Sequence, residues 1–320
     1  MPVTVKIEDR TKRDAHKAAG PPAQLDDYVH PQERAEGMKA FALWMLFVVV
    51  LVAGLSIAPA TRGFGIGIFA WWLLACLGYF FIGPQLVLRR LRVHGNDIVI
   101  NGKTQPRLKT MLAKGSAILG IPEPEAFLLG EGIPQVRIFG RPTFVLLTQA
   151  SLDIFMPAEM DVHLLRTLIH ERQNHTRRLM LMKFLNDTPP AARILAWPVG
   201  MYGFFLRLWW TDLAEITTDR LALLLVKNHK LLQSALLKQH AATDPLMQEA
   251  EVTIQDVDNF IGQAGLIGLE GKEISTQYKL GQAIHENPYL EDRLQQLKDW
   301  AESTEFQEAL QKLAEARGQK

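Results

Sequence analysis

The sequence predicts a mainly α-helical protein with a small β-sheet, an α+β body carried on a two-helix transmembrane hairpin. Three observations predict it. Between Ala40 and Leu88 the only charged residue is Arg62. Three short β-type runs follow one another after residue 125, punctuated by Gly and Pro. Most of the remainder has apolar residues at helical spacing. Across 320 residues, Lys+Arg 35 against Asp+Glu 34 leaves a net charge of +1, which gives no bulk electrostatic support for a nucleic-acid partner. One cysteine, Cys76, excludes a disulfide framework and a cysteine-based zinc finger.

Residues 1–37 mix acidic and basic side chains with Pro21, Pro22 and Pro31. They are too charged for a signal peptide and read as a mobile or partner-wrapped polar tail. The hairpin occupies residues 38–92. Its first span, Phe41–Ala58, makes a helix of about 27 Å, close to the hydrocarbon thickness. Its second is Phe64–Leu88. Arg34 and Lys39 precede the pair and Arg89, Arg90 and Arg92 follow it, so the positive-inside rule puts both termini in the cytoplasm of a multi-pass inner-membrane protein. The bilayer is therefore an expected partner. The spans lack the buried ionisable residues of a transporter or channel.

Residues 93–320 form the cytoplasmic domain. Asp97–Lys103 reads as strand and hairpin turn through Asn101-Gly102, and Arg107–Leu119 as helix. Strand candidates are Ala126–Leu129, Gln135–Phe139 and Phe144–Leu147, with a helical turn over Ser151–Phe155. A long helix is expected from Pro157 to about Phe184, where Asp187, Pro189 and Pro190 end it. Ile194–Trp210 is apolar but interrupted by Pro198, Gly200 and Gly203. It reads as interfacial, re-entrant or packed on the hairpin, its aromatic rings serving as interfacial anchors. Helices are expected at Thr211–Val226, Leu231–His240, Ile254–Gln263, Lys279–His285, Tyr289–Ala301 and Thr304–Ala316.

Helix-borne zinc hydrolysis uses H-E-x-x-H, two histidines one turn apart with a glutamate as base. This chain has His170-Glu171-Arg172-Gln173-Asn174-His175, one residue longer. On a regular helix those histidines point roughly 140° apart and need a π-bulge to share an ion. His163 and His170, seven apart, lie about 10 Å from each other along a helix.

Together with the hairpin, the segments IPEPEAFLLGEGIPQVRIFG, FVLLTQASLDIFMPAE, AEITTDRLALLL and HENPYLEDRLQQLKDWAESTEF resemble the membrane zinc endopeptidases of the HtpX and CAAX-prenyl endopeptidase type. The resemblance implies a zincin-like (gluzincin) peptidase domain, with Glu215 at the zinc-ligand position and Asp219 at the aspartate of an E-x-x-x-D helix. It also implies that an acidic residue, here Glu159, opens the motif helix seven residues before the first histidine. Counted so, H-E-x-x-H falls on Arg166-Thr167-Leu168-Ile169-His170, and the motif is degenerate. Arg166 stands for the first histidine and Thr167, which has no basic form near neutral pH, for the catalytic glutamate.

The expectation is a pseudopeptidase with a remnant site of Arg166, Thr167, His170, Glu215 and Asp219, no catalytic residue and no metal. Arg166 would replace the ion and pair with Glu215. Such a chain would bind or scaffold a membrane-associated protein at the cytoplasmic face. The alternative is an active zinc endopeptidase of membrane-protein quality control, with Zn on His170, His175 and Glu215 and Glu171 as base. In active relatives substrate adds to an edge strand; here that strand is Gln135–Phe139, where Arg137 is unexpected. A site of either kind requires Ile194–Trp210 to return to its own side of the membrane.

Overall fold

The computed structural model describes residues 22–57, 98–130, 134–139, 143–179, 190–243 and 290–316, with scattered single positions between 63 and 89. The helix expected at Phe64–Leu88 falls largely outside these residues, as do those at Ile254–Gln263 and Lys279–His285.

The body is mainly helical with a four-stranded mixed sheet in the order β1-β2-β4-β3. Its strands are β1 (Ile98–Val99), β2 (Glu125–Leu129), β3 (Val136–Phe139) and β4 (Phe144–Thr148). β2 and β4 run parallel at the centre, and β1 and β3 are antiparallel edges. Asn101-Gly102 is not a hairpin turn. Asn101 Oδ1 accepts the N–H groups of Lys103 and Thr104, leading the chain into α2 (Pro106–Leu119). Proline begins that helix, and Gly120 at φ 65° ends it in the left-handed conformation that glycine takes without strain.

After α3 (Gln149–Ile154) comes the central helix α4 (Pro157–Arg172), packed by α2, by β3, and by two apolar helices, α6 (Thr211–Val226) and α7 (His229–Thr243). Glu159 fixes its start: fully buried, it accepts the N–H of Met156 at 2.9 Å, the hydroxyl of Ser234 at 2.7 Å and Lys238 Nζ at 3.0 Å. α4 does not run on to Phe184. Asn174 adopts φ 57°, a region its short polar side chain tolerates, and a separate helical segment occupies 175–179. The C-terminal helices α8 (Leu290–Glu302) and α9 (Thr304–Ala316) close the core through Leu294, Leu297, Trp300 and Phe306.

Among the described residues, one helix is long and apolar enough to cross a membrane: α1 (Glu33–Ile57), at the N-terminal side of the body. A two-helix hairpin is not shown. α5 (Pro190–Trp209) is helical straight through Pro198, Gly200 and Gly203. Its Tyr202 meets Phe41 and Trp44, and the Trp210 that follows it meets Gly37, so the two helices are antiparallel.

The tail expected to be loose over residues 1–37 is folded from Pro22 onward. A 3-10 helix, Pro22–Tyr28, sets Leu25 into the main core, and α1 begins at Glu33 rather than after Gly37. Asp26 accepts hydrogen bonds from Arg172 and Gln173, and the His30 N–H donates to Thr217 Oγ1. The apolar Leu25 and these polar contacts offset the cost of ordering a segment whose composition alone suggests a free tail.

Candidate functional site

The site lies where α4, α6 and α8 meet. Arg166, on the buried face of α4, is 7% exposed. Its Nη2 donates to Glu215 Oε2 at 2.8 Å and its Nε to Asp219 Oδ1 at 2.8 Å. Glu215 and Asp219 are four apart and share one face of α6. From α8, Arg293 donates through Nε and Nη2 to Asp219 Oδ2 at 3.0 and 2.8 Å, and its Nη2 lies 3.0 Å from Glu215 Oε2. Two guanidinium groups thus neutralise two carboxylates in a buried network with fork-type geometry.

Burial works against the charge on Glu215, but the neighbouring permanent cations, Arg293 and then Arg166, outweigh it and hold the carboxyl down to about 2. Burial disfavours the Arg293 cation too, yet Asp219 and Glu215 raise its pKa. Thr167 turns back on its own helix, its hydroxyl donating to the His163 carbonyl at 2.7 Å. His163 itself is buried against Phe155 with Nε2 at 3.1 Å from the Ala235 carbonyl. Burial, with Arg166 adding to it, pushes its pKa down to about 3.

His170 sits beside the network with Nε2 3.5 Å from Glu215 Oε1. Burial lowers its pKa to about 3 in spite of Glu215, so at neutral pH this contact is not an ion pair. The break at Gln173 and Asn174 brings His175 back to it, with the two Nδ1 atoms 3.1 Å apart. No π-bulge is needed, because the chain leaves the helix before His175. The Nε2 of His175 lies 2.8 Å from Glu33 Oε1, and the ring stands edge-on to Trp210. Glu171 faces elsewhere, accepting the Thr143 hydroxyl at 3.0 Å.

Residues from α1, α4, α6 and α8 are therefore brought together, with Trp210 at the foot of α5 on the same side. Glu33 gave no signal in the sequence, being one acid in a polar stretch. Arg293 belonged to the C-terminal segment that carries the resemblance, but nothing local placed it beside Asp219.

Zinc does not fit this arrangement. Glu215 lies at the Nε2 edge of His170 and His175 at the Nδ1 edge, so one ion cannot take all three side chains. Glu215 Oε2 is held by two permanent cations, and His175 Nε2 by Glu33. Among the described residues, no group of three or more His, Cys, Asp or Glu side chains is arranged to hold a metal ion.

The chain is similar to plastoglobule-localized metallopeptidase 48, chloroplastic, of Arabidopsis thaliana, with 22% identity over 232 residues. That match covers 68% of this chain and 63% of the relative, so less than two thirds of the relative's length is represented. No protein-family model matches the chain, and no solved structure matches it. The distant relationship supports a metallopeptidase-like family for this chain.

Proposed function

We propose that this protein is a membrane-anchored, peptidase-derived subunit without catalytic activity, of the HtpX and CAAX-prenyl endopeptidase type, that binds or scaffolds a membrane-associated protein at the cytoplasmic face. The observation that carries this reading is the Arg166–Glu215–Asp219–Arg293 network. A guanidinium and its carboxylates fill the position at which a zinc peptidase needs a divalent ion, and no carboxylate follows Arg166 to activate water. The anchoring rests on α1, whose charge-free stretch from Ala40 to Ile57 exposes Phe41, Leu46, Val49 and Val50. The test is zinc content and casein cleavage, for wild type and Glu171→Gln. Metal-free, inactive wild-type protein is the expected result. Stoichiometric zinc, with cleavage lost in Glu171→Gln, overturns it.

A second reading, an active zinc endopeptidase using His170, His175, Glu215 and Glu171, has one observation in its favour: the 3.1 Å approach of the two imidazoles. It requires Arg166 and Arg293 to release Glu215 and the His170 ring to turn. The same assay separates the two.

A further inference from the structure

The end of α1 that packs on the body gathers cations where its charge-free surface begins. The Arg178 guanidinium lies 5.0 Å over the Trp210 ring, and Lys39 Nζ lies 5.0 Å over the Trp209 ring. Gly37 makes room for the first of these. A Cβ there would come 2.7 Å from Arg178 Nη1 and 3.1 Å from Trp210 Cδ1. Arg34 and Arg177 are exposed, and Arg207 half-buried, on the neighbouring turns. Close by in acid are Glu36, 3.0 Å from Lys39, and Glu33, which is turned inward to His175. Immediately beyond, α1 carries no charge, presents Phe41 and Trp44, and is flanked by Tyr202 and Phe205.

Cations backed by indole rings, at the border between a charged and a lipid-like surface, match the level of phospholipid headgroups. We propose that Arg178 and Lys39, set on Trp210 and Trp209, form a site for the phosphate of an anionic phospholipid, whose acyl chains lie along α1. The uninterrupted apolar surface beside the cations selects a lipid phosphate over a soluble one. The proposal deepens the membrane-anchored reading and rests on it.

The full chain is floated on vesicles of phosphatidylcholine alone and on vesicles with about one-third phosphatidylglycerol, and the lipid kept after mild detergent extraction is identified by native mass spectrometry. Wild type floats on both and retains phosphatidylglycerol over phosphatidylcholine by about five-fold or more, on the scale of one basic side chain near an anionic surface. Lys39→Gln/Arg178→Gln floats equally well but retains the two lipids equally. Gly37→Ala, which displaces Arg178 without removing a charge, lowers the preference by at least about two-fold; a diffuse surface charge would leave it unchanged. Excess inorganic phosphate does not displace the lipid. Equal retention by wild type, or wild-type preference in the double variant, overturns the lipid site while leaving the anchor standing. Failure to float on phosphatidylcholine overturns the anchor and the site together.

Discussion

Arg166 Nη2 and Glu215 Oε2 lie 2.8 Å apart with side chains 8% and 18% exposed, joining α4 to α6 at the centre of the body. Removing one member of such a pair strands the other in a place water reaches poorly. Arg166→Leu should therefore destabilise the protein by about 3 kcal/mol, because Glu215 and Asp219 keep only Arg293. Replacing both, as Arg166→Leu/Glu215→Leu, should recover a good part of that loss, since a buried ion pair is often exchanged for apolar packing at little net cost. Denaturant unfolding of the two singles and the double closes the cycle. Single-variant losses below about 1 kcal/mol would mean the network does not hold these helices together.

Acid should unfold the protein well above the usual carboxylate range. His163 and His170 are held near 3 when folded against an ordinary value of 6.5, so the unfolded chain takes up two protons that the folded one refuses. Their contribution is complete above pH 6.5 and is lost as pH falls from there toward 3. Glu215, held near 2 against 4.5, adds a loss of the same sign only below pH 4.5. Between pH 6 and 5 His163 and His170 each contribute about 1 kcal/mol per pH unit, and His30, whose pKa burial also lowers, acts in the same direction. His163→Gln should reduce that slope by about 1 kcal/mol per pH unit in thermal-denaturation profiles, whatever it does to stability at pH 7. An unchanged slope would show that His163 is protonated in the folded protein.

The α2–α4 contact makes a packing prediction in which two effects oppose each other. Gly115 is mid-helix, where alanine gains about 1 kcal/mol in propensity. A Cβ there would nonetheless meet Leu168 Cδ1 at 2.7 Å, and Leu168 is fully buried. Overpacking of this kind costs about 1–3 kcal/mol, so Gly115→Ala should be neutral to destabilising by about 2 kcal/mol. Adding Leu168→Val, which shortens the clashing branch, should turn the change stabilising relative to Leu168→Val alone. Melting temperatures of the four proteins check it.

The elements legible in the sequence are those decided by neighbours. Thr211–Val226 reads as a helix over the whole length observed, and the strands at 125–129, 136–139 and 144–148 agree to within a residue, because apolar periodicity and Gly/Pro punctuation are local. The end of α4 was not legible. Glu171 to Arg178 is polar throughout, and only the φ of 57° at Asn174 distinguishes a break from a continuing helix. That one backbone angle decides where His175 points. Glu33 and His175 are 142 residues apart, and no local pattern in the sequence relates them. Setting Arg166 opposite Glu215 came from counting onward from Glu159, whose buried cap on α4 gives that count a physical anchor.

The same count can be run in reverse. Arg166 and His170 are four apart on one face of α4, and the side chains of both approach Glu215: Nη2 of Arg166 at 2.8 Å from Oε2, Nε2 of His170 at 3.5 Å from Oε1. Histidine at 166 would put three donors around one point, with Asp219 still neutralised by Arg293. Glutamate at 167 would supply the base that threonine lacks. Arg166→His/Thr167→Glu should thus bind about one zinc per chain, measured by elemental analysis after dialysis, and Glu215→Gln added to it should abolish binding by removing the third donor. Binding of cobalt in place of zinc would report the geometry directly, as a four-coordinate site absorbs visible light strongly. A folded double variant, with the helical content of wild type but no metal above background, would show that His170 and Glu215 do not converge on a common point.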